Sequence, residues 1–151
     1  MAKSYYSTVI DQSADQIWGL VRDFGSYRQW IPDAECFIED GKPGEQVGAI
    51  RNVSYDGLTI RQQLVAHSDA DRSYSYTALD PLRFPTVRNF LATQRIIPVA
   101  DGDRALVEWY VTFDCPADEH DHWIEQFKTL FAGWLESLRT TVSRPARQSQ
   151  A

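Results

Sequence analysis

Three positions stand out because a polar side chain breaks a run that is otherwise apolar on one face of a strand. Arg51 interrupts Val47, Ala49, Val53 and Tyr55. Gln62 interrupts Leu58, Ile60, Leu64 and Ala66, and Gln94 interrupts Phe90, Ala92 and Ile96. Successive strand side chains alternate between faces, so each is predicted to point where its apolar neighbours point. An unpaired polar group there costs roughly 1–3 kcal/mol, so each needs a protein partner or the carbonyl, hydroxyl or carboxylate of a ligand. Tyr55, Tyr74 and Tyr76 lie on similar apolar faces. A phenol in such a place either packs with its hydroxyl reaching the surface or polarises a ligand carbonyl. Trp30, Phe127, Leu130 and Trp134 read as apolar wall, around a ligand or simply in the core.

Other chemistries find little support. His67, Ser68 and Asp69 adjoin in sequence, but neighbours seldom adopt triad geometry and there is no nucleophile elbow. His120 and His122 are two apart and so do not share a helix face, which argues against a metal pair. Gly41, Gly44 and Gly48 precede no helix and form no phosphate loop. Cys36 and Cys115 are far apart and in no CxxC pattern, so free thiols are expected. No metal and no cofactor is expected.

The 151 residues suit a single domain. Apolar residues at 43% and charged residues at 24% are ordinary globular values, which excludes disorder for the bulk of the chain. A net charge of −6 with no Lys/Arg cluster makes nucleic acid and anionic membrane unlikely partners by charge alone. The N-terminus MAKSYYSTVI lacks the apolar stretch of a secretory signal, and no apolar run has membrane-spanning length. A cytoplasmic protein is therefore expected. Aromatic residues at 13% suit a large core or a ring-lined ligand cavity.

The elements that must position these residues follow from periodicity. Lys3–Ile10 reads as a strand, and Ser13-Ala14-Asp15-Gln16 is a capping-box pattern opening a short amphipathic helix to about Asp23. A second short helix, Ser26–Trp30, stops before Pro32. The period then changes to two, with strands over 47–55, 58–66, 73–78, 87–97 and 104–114. Asp56-Gly57 is a tight turn, and Leu79–Thr86 is a loop containing two prolines. From Asp118 a helix of about 24 residues carries Trp123, Phe127, Leu130, Phe131, Trp134 and Leu138 on one stripe. Gly133 in its middle either relieves crowding or leaves room for a ligand. Short connections imply an antiparallel sheet with helices on one face, an α+β fold.

The segment "VIDQSADQIWGLVRDFGSYRQWIP" resembles the start of the Bet v 1-like, START-related (SRPBCC) superfamily, in its polyketide cyclase/dehydrase-like branch. The resemblance rests on Ala14, Ile17, Trp18, Leu20, Val21, Asp23, Phe24, Trp30 and Pro32. It continues through "VGAIRNV", "RNF", "VEWYVTF" and the long C-terminal helix, over about residues 3–142. It implies a helix-grip fold: a seven-stranded curved antiparallel sheet around the C-terminal helix, with two short helices after strand 1. Residues 1–142 would form that domain and 143–151 a disordered tail. The resemblance also implies a pocket for an apolar or aromatic small molecule, gated by the Asp56-Gly57 turn and the Leu79–Thr86 loop.

One strand is read differently by periodicity and by resemblance. Periodicity turns Val107, Trp109, Val111 and Phe113 toward the helix. In abscisic-acid receptors of the superfamily, a glutamate on a similar strand lines the pocket, which implies that Glu108 and Tyr110 do so here, with Phe90. A carboxylate in an apolar cavity is desolvated, which favours its neutral form and suits a general acid or base. The candidate catalytic set is then Glu108 with Tyr55 or Tyr76. The candidate ligand-binding set is Trp30, Arg51, Gln62, Tyr74, Phe90, Gln94, Tyr110, Phe127, Leu130 and Trp134. Two functions stay open: a polyketide-type cyclase/dehydrase, and a non-catalytic carrier or sensor of a hydrophobic ligand, as monomer or homodimer.

Overall fold

The computed structural model describes residues 1–80 and 82–148, and side chains up to 143. Strand β1 (Ala2–Ile10) is followed by helices α1 (Ala14–Val21) and α2 (Tyr27–Trp30). Strands β2 (Glu35–Ile38), β3 (Ile50–Tyr55), β4 (Leu58–Ser68), β5 (Ser73–Leu79), β6 (Arg88–Val99) and β7 (Arg104–Asp114) come next. Helix α3 (His120–Gln148) closes the chain. The seven strands form one antiparallel sheet in the order β1-β7-β6-β5-β4-β3-β2. This is the α+β helix-grip arrangement, with α3 running along the inner face.

Local sequence explains most element boundaries. The Ser13 hydroxyl accepts the Gln16 amide at 3.1 Å and caps α1, whose Ala14, Ile17, Trp18 and Val21 are buried. Asp56 and Gly57 both have positive φ, 55° and 77°, as a two-residue hairpin turn requires. Strand β7 alternates perfectly, with Ala105, Val107, Trp109, Val111 and Phe113 all buried. Phe127, Phe131, Leu135, Leu138 and Val142 of α3 face them. Trp109 stacks on Phe131 at 4.9 Å between ring centroids and 10° between planes. Arg139 anchors α3 to β1 by donating to the Val9 carbonyl at 2.7 Å and the Thr8 hydroxyl at 2.6 Å.

Several features depart from the expectations. Strand β2 supplies the seventh strand at a place where periodicity marks none, and β3 begins at Ile50 rather than Val47, which is exposed. The pairing of β4 with β5 shifts between Leu64 and Ala66. That bulge turns Ala66 outward and His67 inward against Trp18, because one extra residue inverts the alternation beyond it. Strand β6 continues past Pro98, which pairs with Ala105. The backbone of α3 continues to Gln148, through much of the expected tail; residues 149–151 lie outside the described residues. A Cβ at Gly133 would have no neighbour within 4 Å, so that glycine relieves no crowding.

Candidate ligand cavity

Sheet and helix do not meet along their whole length. A cavity of about 50 Å³ lies between α3 and the β3–β4–β5 part of the inner face. Val53 and Tyr55 come from β3, Ile60 and Gln62 from β4, Tyr76 from β5 and Phe90 from β6. Phe127, Leu130, Phe131 and Trp134 of α3 form the opposite wall. Tyr27, Ile31 and Ala34 close one side, and Arg83 and Phe84 of the loop between β5 and β6 close another. A second hollow of about 40 Å³ shares Ile60, Gln62, Arg83, Phe84 and Phe90 with the first. Both are far smaller than the roughly 300–1,000 Å³ that encloses a drug-sized ligand. Phe84 lines both, packing edge-on against Trp123 at 5.0 Å and Phe127 at 5.2 Å.

One wall of the cavity is polar. Behind it Arg51 is fully buried. Its Nε donates to Gln62 Oε1 at 2.8 Å, its Nη1 to the Phe24 carbonyl at 3.2 Å and its Nη2 to Tyr27 Oη at 2.8 Å. The guanidinium also lies against three rings, 3.8 Å from Tyr27, 3.9 Å from Phe24 and 4.6 Å from Tyr76. Trp109 Nε1 donates to Tyr76 Oη at 3.2 Å. Burial pushes the Tyr27 phenol well above its ordinary pKa, with Arg51 opposing. Burial likewise pushes Tyr74 up to about 12, again against Arg51.

The expected site residues fall into two groups. Tyr55, Tyr76, Gln62, Phe90, Phe127, Leu130 and Trp134 meet at the cavity. The others do not line it. Trp30 packs behind Tyr27 at 5.2 Å, its indole N–H donating to Ser26. Tyr74 is enclosed by Trp18, Phe24 and Tyr76. Arg51 stands behind Gln62 and Tyr27 rather than in the cavity wall. Gln94 is wholly buried between Tyr74 of β5 and Trp109 of β7, and neither amide atom has a hydrogen-bond partner among the described residues.

Glu108 and Tyr110 require a correction. Both lie on the outer face of β7, where the Glu108 carboxylate accepts from the Tyr5 hydroxyl of the neighbouring strand and Tyr110 stacks on Tyr5. The periodicity of β7, with Trp109 inward, prevails over the resemblance. Its physical reason is burial: turning Glu108 inward would expose Val107, Trp109, Val111 and Phe113 together.

Sequence reasoning missed Tyr27, Ile31, Ala34, Arg83 and Phe84. Tyr27 was legible as an aromatic in a short helix; a loop residue such as Phe84 carries no periodic signal. Among the described residues, those that line the cavity include no carboxylate and no imidazole. Among the described residues no group of three or more His, Cys, Asp or Glu is placed to hold a metal ion. Likewise, no helix among them is long and apolar enough to cross a membrane.

A family model described as "Polyketide cyclase / dehydrase and lipid transport" matches residues 1–143. No curated protein matches the chain. Among solved structures, a Thermobifida fusca protein aligns with TM-score 0.83 and 25% identity, over 95% of each chain. The Bacillus cereus protein XoxI aligns with TM-score 0.81 and 26% identity, over 97% of this chain and 99% of that one. A Thalictrum norcoclaurine synthase, solved as a point mutant with a transition-state analogue, aligns with TM-score 0.71 over 99% of this chain and 96% of its own. At 15% identity that last likeness is one of fold alone.

Proposed function

The chain belongs to the polyketide cyclase / dehydrase and lipid transport family, and from that premise we propose that it binds an amphipathic or aromatic small molecule non-covalently between the sheet and α3. The family and the helix-grip fold support a ligand-binding role in general. The observation that carries this reading is the composition of the cavity wall. Rings and aliphatic groups make up most of it, the phenols and one amide are its polar points, and among the described residues Arg83 is its one charged lining residue. Such a wall binds by apolar burial and orients by a few hydrogen bonds.

Carriage or sensing is the reading this wall favours. General acid–base chemistry on a bound chain wants a carboxylate or imidazole within hydrogen-bond reach of the reacting atoms, and among the described residues the lining supplies neither. One observation favours a cyclase/dehydrase as the second reading: Tyr76, held by Trp109, could polarise a carbonyl while the apolar walls fold the chain around it. Tyr55, which meets the Trp134 ring edge-on at 6.3 Å, would then be a second phenol beside the substrate. In either case Phe84 and its loop must swing aside to admit a ligand of drug size, since the closed cavity is too small.

Native mass spectrometry over time, after incubation with a nonpolar extract of the source cells, tests the reading. A bound mass that persists unchanged is expected. A bound mass that falls by 18 Da, or keeps its mass while a chromophore appears, would instead establish dehydration or cyclisation. No bound mass with the wild type, repeated with Phe84→Ala to open the entrance, would overturn the small-molecule reading.

A further inference from the structure

Arg51 is a buried cation without a buried anion. Among the described residues no carboxylate lies within 4.0 Å of its guanidinium, whereas Arg22, Arg61, Arg72 and Arg139 each have one. Its hydrogen-bond acceptors are an amide, a phenol and a backbone carbonyl, all neutral. A full charge held in low dielectric with only dipoles and rings around it leaves an uncompensated positive potential. The nearby titratable groups do not cancel it, since burial drives Tyr27, Tyr74 and the Cys36 thiol toward their neutral forms.

The neutral partners pass this polarity on to the cavity. Arginine only donates, so the Gln62 oxygen must face Arg51, and the Gln62 NH2 is left for the cavity side. Gln62 is more than nine-tenths buried, and among the described residues its NH2 donates to no protein atom. Tyr27 Oη accepts from Arg51, and Tyr76 Oη accepts from Trp109. Each of these three groups has spent an acceptor site on a protein donor; the Tyr27 and Tyr76 hydroxyls also pair with one another, so Gln62 keeps its NH2 and the phenol pair keeps one proton to give. All three line the cavity. A wall of donors backed by a cation is complementary to an oxygen anion, and it is poorly matched to a ligand hydroxyl that must also donate.

Building on the ligand-binding reading above, we propose that the cavity receives the carboxylate or enolate oxygen of an amphipathic anion, seated on the Gln62 NH2 and the outward proton of the Tyr27–Tyr76 pair with Arg51 as the counter-charge behind them. The apolar body of the ligand then lies along Phe90, Phe127 and Trp134. Gln62, Tyr27 and Tyr76 are binding residues in this scheme, and Arg51 is a positioning residue acting through them.

The test compares 2-naphthoate with 2-naphthalenemethanol, which share a ring system and differ in the anionic head. Binding is measured by titration calorimetry with the full chain. Wild type is expected to hold the carboxylate at least roughly tenfold more tightly than the alcohol, the ratio for one charge-assisted hydrogen bond. Gln62→Leu is expected to collapse that preference, bringing the ratio of carboxylate to alcohol affinity within about threefold of one. Arg51→Met is expected to do the same. Should Arg51→Met fail to fold, Tyr27→Phe takes its place, because it removes one donor and keeps the ring. Equal binding of the two probes by wild type, or tighter binding of the alcohol, would overturn the anion proposal and leave the cavity reading intact. Binding of neither probe, by wild type or by Phe84→Ala, would overturn both.

Discussion

The inner face of the sheet has two ends made from the same kinds of residue with different outcomes. At the β6–β7 end, Val107, Trp109, Val111, Ala92 and Ile96 are buried under α3, with Trp109 stacked on Phe131 and with Leu135 and Leu138 buried beside them. At the β3–β5 end, Tyr55, Ile60 and Tyr76 face Leu130 and Trp134 across a gap. Each end also contains a buried polar intrusion. At the open end Arg51 donates to the Gln62 oxygen, which leaves the Gln62 NH2 toward the gap. At the closed end Gln94 has no partner among the described residues. The contrast shows that a polar break in an apolar strand face marks a candidate site only where the opposing layer stands off.

Substitutions can break or sharpen that contrast. The largest expected effect is at the closed end: Trp109→Ala should lose about 3–5 kcal/mol in urea denaturation, the cost of truncating a fully buried aromatic. Phe84→Ala, a half-buried ring beside the gap, should lose only about 1–2 kcal/mol. Equal losses would mean that the gap is packed as tightly as the rest of the core.

Next in size is Gln94→Leu. It removes two unpaired amide atoms at similar volume and should raise stability by about 1 kcal/mol. A loss of more than about 1 kcal/mol in the same denaturation series would show that the amide is satisfied after all.

A smaller effect separates the inner face from the outer one. On the outer face Glu39 accepts from Arg61 at 2.8 and 3.0 Å and from Asn52, and these bonds, Arg61 first, lower its pKa from 4.5 to about 2. A lowered carboxylate pKa contributes stability above 4.5, and that contribution is lost as pH falls through about 2. Denaturation midpoints of wild type and Glu39→Gln should therefore differ near neutral pH and converge as pH approaches 2. A constant difference across that range would mean that the ion pair contributes nothing through ionisation.

The smallest effect is expected from Glu108→Gln. On the solvent side of β7, it should change stability by less than about 0.5 kcal/mol and leave the affinity for 2-naphthoate unaltered. A drop in that affinity would place Glu108 at the site and restore it as a catalytic candidate.

Much of the frame was determined by local sequence. The Ser13 cap, the Asp56-Gly57 turn, the strict alternation of β7 and the apolar stripe of α3 each depend on neighbours within a few residues, and each stands in the fold as its local pattern dictates. That Arg51, Gln62 and Gln94 are buried was legible for the same reason. Tertiary structure alone decided three things. The bulge after Leu64 sent Ala66 out and His67 in, a register effect that no strand carries by itself. Phe84, from an aperiodic loop, came to rest in the gap because α3 offered it Trp123 and Phe127. And the separation of sheet from helix, a property of the curvature of seven strands together, gave Gln62 an opening to face and left Gln94 enclosed between Tyr74 and Trp109.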